Sequence, residues 1–417
     1  MPASFHGFIH RYIPLLFLIG LALSAPAQTA TEPLPEGWAP QSDPDRQQAF
    51  EFIDRNKMTQ AMPLFEKLCS EYPKDSRMWE GWGVSTLGYS QTLTDPDLRR
   101  KARIRARTFL LKARELGDKS NLMQVLLGLL PEDGSQSPFS PRKEVDNAMQ
   151  AAEADFARGD FDKARAGYLH ALLLDPQNYE AALFIGDVYF KQHINGSAGE
   201  WFARAIEIDP NRETAYRYWG DALWDMGKSA EARGKFIQAI VAEPYGGNRS
   251  WMGLTQWADR SKVKLNWVRL VDKSSVTQED PQHINLNINL DSLKNNDPSG
   301  SAWLIYGMNR ALWHKEKFQK EFPKEQKYRR TMREEVESLH LMVSALTGQN
   351  DFEKKKDQLD PALVQLVAID NLGFLEPFAL LNRADGEIAQ DYAAYREAHR
   401  DVIYRYFDEF VVPKAPQ

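Results

Sequence analysis

Three consecutive stretches decide the fold: VDNAMQAAEADFARGDFDKARAGYLHALLLDPQN at 145–178, YEAALFIGDVYFKQHINGSAGEWFARAIEIDPNR at 179–212 and ETAYRYWGDALWDMGKSAEARGKFIQAIVAEPYG at 213–246. Laid over one another, they keep several columns in phase at a period of 34 residues. Pro176, Pro210 and Pro244 form one column. Ala164, Ala198 and Ala232 form another, and Ala171, Ala205 and Ala239 a third. Tyr168, Phe202 and Phe236 are an aromatic column, and Gly186 and Gly220 share a column of small residues with Ala152. A fixed period of this size marks repeated supersecondary units that stack on their neighbours.

With small residues at repeat positions 8, 20 and 27, an aromatic at 24 and proline at 32, the segment resembles the tetratricopeptide repeat family. The resemblance implies that each unit is a helix, a turn and a second helix. Small residues at 8 and 20 let two backbones approach, the aromatic fills the layer between them, and proline stops the second helix. Two weaker units lie upstream. Ala61, Phe65, Leu68 and Pro73 match a repeat at 42–75, and Trp79, Trp82 and Gly83 open another at 76–119. In the latter the insertion Gly88–Asp97 displaces the second helix, and the phase resumes at Ala106, Leu110 and Ala113. Asn121–Leu130 reads as one more apolar helix, followed by a loop over 131–143. The resemblance covers roughly 45–246 and is specific for fold far more than for function.

In this family the first helices line a concave groove, with positions 2, 5, 9 and 12 facing into it. Carried over, position 9 is Glu153, Asp187 and Asp221, and position 12 is Phe156, Phe190 and Trp224. Acids at position 9 mean that the Lys and Asn clamp some members use for a C-terminal carboxylate is absent. The columns suit an extended or helical partner segment with basic and apolar side chains. The competing reading packs the aromatics between repeats and leaves the acids solvated. The most basic stretch, Arg99–Arg107 with Lys112 and Arg114 beyond it, falls on a second helix, which faces outward in the family. It is either a contact for an anionic lipid or polyanion through Arg99, Arg103 and Arg107, or a solvated face.

Outward from the repeats, the N-terminus reads as an export signal over 1–27. The apolar run Ile13–Leu23 has the length of a signal core and is too short to span a bilayer, and Ala25-Pro26-Ala27 supplies a small-x-small cleavage site. An uncleaved anchor is the other reading. No cysteine follows the run, which argues against a lipoprotein. Residues 28–44 are proline-rich and are expected to be an extended, mobile linker. The formal charge of the 417-residue chain is −6, and removal of 1–27, with Arg11 and no acid, makes it one unit more negative. That balance argues against a dedicated nucleic-acid binder. The only cysteine, Cys69, excludes an intrachain disulfide and a thiolate zinc cluster. It reads as a buried inert thiol or a reactive one. The localisation implied is periplasmic in a Gram-negative cell, or secreted.

Beyond the repeats the pattern changes. A helix at 250–258 suits a cap for the repeat stack. His283–Asp291 alternates strictly, with Ile284, Leu286, Ile288 and Leu290 on one side, and so reads as a strand, with Lys264–Val271 as its partner. Asn296–Gly300 is a turn. Trp303, Tyr306, Gly307 and Arg310 resemble the first helix of a further repeat. Helices are expected over 327–346, 361–371, 375–382 and 390–410. The expected fold is therefore mainly α: a tetratricopeptide-type helical solenoid over 45–260, followed by a mostly helical module with a small β-hairpin over 261–417, which resembles no named family.

Signatures of catalysis are missing: no H-E-x-x-H, C-x-x-C, G-x-S-x-G, Walker-type loop or EF-hand loop occurs. Glu337-x-x-His340 has the spacing of a di-iron ligand pair, but no second E-x-x-H follows the signal segment, so no metal is expected. His399, with Tyr392, Tyr395, Arg396 and Arg400 around it, is either a polar site or a hydrogen-bonded helix face. Asn195 and Asn248 stand in glycosylation sequons that matter only in a eukaryotic secretory route. The leading reading is an exported, non-catalytic scaffold that binds another protein without a cofactor and without a transmembrane span after cleavage. The alternatives are an uncharacterised enzyme within 261–417, with the repeats recruiting its substrate, and an envelope-assembly factor that binds a polyanion or lipid.

Overall fold

The computed structural model describes residues 35–136, 138–280, 283–288, 299–348 and 352–413. The signal segment 1–27, the first part of the expected linker, the end of the expected strand at 289–291 and most of the turn at 296–300 lie outside them. The chain is mainly α, with a small two-stranded antiparallel sheet. It divides into two compact units, 1–210 and 211–417.

The first unit is a series of helical hairpins. The helices are α1 Pro44–Asp54, α2 Met58–Glu71, α3 Ser76–Thr92, α4 Pro96–Glu115, α5 Asn121–Leu129, α6 Lys143–Arg158, α7 Phe161–Leu174, α8 Tyr179–Lys191 and α9 Asn195–Ile208. Local chemistry sets their ends. Asp43 and Asp95 accept from the first main-chain N–H groups of α1 and α4, each followed by a proline that has no N–H to leave unpaired. Asn178 accepts from the Ala181 N–H at 2.8 Å and so starts α8. Gly159 closes α6 at φ 83°, a left-handed conformation that glycine adopts without strain. The repeat columns meet as their chemistry requires. A Cβ on Gly186 would lie 2.5 Å from Phe202 Cε1, so the small position 8 exists to seat the aromatic at 24. Gly83 faces Leu110 in the same way in the weaker upstream unit, at 2.7 Å.

The insertion Gly88–Asp97 displaces the second helix by lengthening the hairpin: α3 continues to Thr92 and α4 begins at Pro96. One expectation changes here. The described end of the expected mobile linker is folded. Ala39 is fully buried, its N–H donates to Asp75 Oδ2 at 3.1 Å, and its carbonyl accepts from Arg46 Nη1 at 2.7 Å. Satisfying the Asp75 carboxylate and the Arg46 guanidinium fixes a segment that composition alone reads as loose.

The second unit begins with the last strong repeat, α10 Glu213–Asp225 and α11 Ser229–Ala242, followed by α12 Arg249–Ser261. These helices share one apolar core with the C-terminal residues: Leu223, Phe236 and Trp257 belong to the same cluster as Trp303, Phe378 and Phe407. Tyr392 donates to the Val241 carbonyl at 2.8 Å, and Arg396 to that of Ala242. The packing boundary therefore falls at 210/211, and no boundary of packing separates 260 from 261. Repeat period marks a unit of sequence, whereas burial decides what packs as one body.

The sheet pairs β1 Ser274–Asp280 with β2 His283–Ile288, with Val276 opposite Leu286. The expected strand at 264–271 is instead an irregular segment, pinned by the Asn266 N–H to the Val411 carbonyl at 2.8 Å and by Asn266 Nδ2 to the Phe410 carbonyl at 3.0 Å. Its alternation is real, since Val268 and Leu270 are buried while Trp267 and Val271 are exposed. It serves packing against the C-terminal segment rather than a ladder. The longer remaining helices are α13 Gly300–Leu312, α14 Met332–Thr347, α15 Pro361–Asn371, α16 Leu375–Asn382 and α17 Tyr392–Arg405. α14 starts later than expected because Thr331 caps it, accepting from the Glu334 N–H at 3.1 Å. α17 is interrupted at His399 (φ −135°) and ends in a wider π-type turn over Tyr406–Val411.

Candidate functional site

The structure encloses the position-9 carboxylates. In the first unit, Glu153 on α6 accepts a hydrogen bond from the Tyr168 hydroxyl of α7. Burial pushes its pKa up to about 7, against the opposing pull of that hydrogen bond and of Arg99. Asp187 on α8 is 2% exposed, and its charge reaches the same Tyr168 hydroxyl. In the second unit, burial raises Asp221 to about 6, opposed mainly by Arg217. Asp187 is thus buried, whereas Glu153 and Asp221 are only partly covered.

The position-12 aromatics differ among themselves. Phe156 is 7% exposed and packs edge-to-face on Phe161, with ring centroids 5.5 Å apart. Phe190 is half-buried. Trp224, also half-buried, carries the Arg260 guanidinium over its ring at 5.6 Å. Of the six expected residues, Glu153 and Phe190 in the first unit and Asp221 and Trp224 in the second keep an accessible edge, whereas Asp187 and Phe156 do not. Position in the repeat placed these residues on the first helices. It did not fix their depth, because the neighbouring helix covers positions 5 and 9 along much of α8, where residues 181–188 are all buried.

Arg99, Arg103 and Arg107 are not a surface contact. Arg99 donates from Nε and Nη2 to the Leu93 carbonyl, and from Nη1 to Gln150 Oε1. Arg103 donates to the carbonyls of Gly134, Leu129 and Ser135, at 3.0, 3.2 and 3.0 Å. Arg107 reaches those of Leu127 and Leu130. Spaced four apart, the last two tie the unsatisfied C-terminal carbonyls of α5 and the following loop to α4. Burial lowers the pKa of Arg99 and Arg103.

The second unit holds a buried ionic cluster that pattern reading missed. Glu334 and Glu335, fully buried in the first turn of α14, point different ways. Glu335 accepts from Arg330 at 2.7 Å, Arg383 at 2.9 Å and the Tyr306 hydroxyl at 3.0 Å. Those cations hold its pKa below the usual carboxylate range despite burial. Glu334 accepts from Tyr328 at 2.9 Å and Arg310 at 3.3 Å, and burial raises it to about 7. The only sequence signal was two adjacent acids inside an amphipathic period, which spacing alone cannot distinguish from a solvated pair. Beside this cluster lies an open cleft of about 580 Å³, lined in part by Trp313, Met332, Val336, Glu337 and His340. Glu337 accepts from Trp313 Nε1 at 2.9 Å and from Lys317 Nζ, and His340 Nδ1 lies 3.0 Å from Asp370 Oδ2. The Glu337/His340 pair thus faces the cleft with both members held by protein neighbours. Among the described residues, no three His, Cys, Asp or Glu side chains gather to hold a metal ion.

Around His399 the polar groups join helices: Tyr395 donates to Glu376 Oε2 at 2.9 Å, and Arg400 to Asn211 Oδ1. Cys69 is buried, and desolvation pushes its thiol up to about 12, which makes it unreactive in the fold. No helix among the described residues is long and apolar enough to cross a membrane.

Comparison with known proteins agrees with the hairpin geometry. No curated protein matches the chain in sequence. The crystal structure of the P58(IPK) TPR domain matches over 87% of this chain and 96% of that one, at 10% identity and a TM-score of 0.26, a likeness too slight to carry an argument. Residues 149–213 match a family model described as tetratricopeptide repeat, so this segment of the chain carries tetratricopeptide repeats.

Proposed function

We propose that the protein is an exported, non-catalytic scaffold whose repeat helices capture a segment of another protein. The observation that carries the reading is that each unit keeps a partly accessible carboxylate and a half-buried aromatic at the expected positions of its first helices: Glu153 on α6 and Phe190 on α8 in one, Asp221 and Trp224 one helical turn apart on α10 in the other. Half-buried aromatics supply apolar contact, and carboxylates already desolvated favour a basic side chain brought to them. The partner segment is therefore basic and apolar. Export, to the periplasm of a Gram-negative cell or to the medium, rests on the apolar run Ile13–Leu23 and the Ala25-Pro26-Ala27 site.

The test is affinity capture from an envelope fraction, with Phe190→Ala and Trp224→Ala as separate variants. Both sites are only half-buried, so helical circular dichroism should be preserved. Loss of the captured protein with either variant supports the reading. Undiminished capture by both would refute it.

A further inference from the structure

The basic helix α4 has three sides with three different uses. One faces the core: Ala106, Phe109, Leu110 and Ala113 are buried. A second, Arg99, Arg103 and Arg107, is committed to main-chain carbonyls and Gln150. The third carries Leu98, Lys101, Arg105 and Lys112, spaced three, four and seven apart and therefore on one side of a helix. All four are exposed, Leu98 at 52%. At about 1.5 Å per residue the line runs for roughly 21 Å. Among the described residues, the ion pairs of this helix are Arg107 with Glu132 and Lys112 with Glu115 at 3.2 Å; Arg105 lies over the Phe109 ring at 5.7 Å, and neither it nor Lys101 has a carboxylate within ion-pair distance. The acids on the exposed side stand at its two ends: Asp97 in the first turn and Glu115 in the last.

We propose that this side of α4 docks on an anionic lipid surface. A straight row of exposed cations, of which only Lys112 makes a local ion pair, complements a plane of negative headgroups, even though the chain as a whole is acidic. The exposed Leu98 in line with them supplies the shallow apolar contact that an interface rewards and a soluble polyanion does not. The surface is distinct from the arginines that the basic run first suggested, because those are committed to main-chain carbonyls and Gln150.

The full-length protein is tested for co-sedimentation with phosphatidylcholine vesicles and with vesicles also containing phosphatidylglycerol. The apolar run at 13–23 affects both vesicle types alike, so the readout is the preference between them. Each Lys or Arg near an anionic surface is worth roughly fivefold in binding, so Lys101→Glu/Arg105→Glu/Lys112→Glu should reduce the preference on the order of a hundredfold, and Leu98→Ala should reduce it less. A matched control, Lys57→Glu/Lys143→Glu/Lys163→Glu, changes net charge equally on exposed sites elsewhere in the unit and should keep the preference. Added salt should weaken binding. The proposal is overturned if no preference exists, if the α4 variant keeps it, or if the control loses it equally. Retention on heparin without any vesicle preference would assign the row to a soluble polyanion, which also overturns it.

Discussion

Gly186→Ala puts a methyl group where the repeat has no room for one. The new Cβ would lie 2.5 Å from Phe202 Cε1 and 2.6 Å from Cδ1. Carbon atoms in contact prefer about 3.5–4.0 Å, so the ring must retreat by about 1 Å. Phe202 is fully buried, and overpacking such a site costs roughly 1–3 kcal/mol. Against this, replacing glycine inside a helix by alanine gains about 1 kcal/mol. The net effect is a loss of roughly 0–2 kcal/mol, too small to interpret alone. The decisive measurement is a double-mutant cycle with Phe202→Ala, which by itself costs roughly 3–5 kcal/mol. Without the ring the clash is gone while the helix gain remains, so Gly186→Ala should change sign and stabilise by about 1 kcal/mol. Urea unfolding followed by far-ultraviolet circular dichroism on the four proteins reads this out. If Gly186→Ala shifts the midpoint equally in both backgrounds, position 8 does not exist to seat the aromatic, and the packing argument for the repeat fails.

Two further outcomes follow from buried polar groups. Burial holds Glu153 near 7 in the fold, above its ordinary value near 4.3 in an unfolded chain, so its contribution to stability is fully present below that lower value and is lost as pH rises through about 7. The Tm of the wild type should therefore fall more between pH 5 and pH 8 than that of Glu153→Gln, by up to about 3 kcal/mol in stability, and parallel profiles would count against an enclosed carboxylate. Arg103→Ala removes donors to three carbonyls and should destabilise the first unit by roughly 1–3 kcal/mol, with faster amide exchange over 121–135. Unchanged exchange there would mean that the arginine does not hold the loop.

The hairpins of 145–246 were legible because their determinants are local. A small residue, an aromatic and a proline at fixed offsets dictate close approach, filling and termination within one 34-residue unit. The site was legible only as positions on the first helices. Repeat position correctly put Glu153, Asp187 and Asp221 on equivalent turns of the first helices, but depth depends on what the next helix brings against them. The Tyr168 hydroxyl on Glu153 belongs to another helix of the same repeat, and no spacing announces it. The arginines of α4 show the same limit: a period of four identifies a side of the helix, and only the neighbouring segments, Leu93 for Arg99, Gly134 for Arg103 and Leu130 for Arg107, decide that this side donates to carbonyls rather than to solvent.

Sequence by itself determined the helical repeats, their phase, the hairpin's apolar strand and the absence of an intrachain disulfide, because each follows from contacts within a few turns or from composition. Tertiary structure alone decided that the last repeat packs with the C-terminal helices, that 264–271 lines a core instead of a sheet, and that the buried pair Glu334 and Glu335 is neutralised by arginines from three separate segments. Burial and charge compensation sum contributions from residues remote in sequence, and a one-dimensional pattern holds which side chains exist without holding which of them meet.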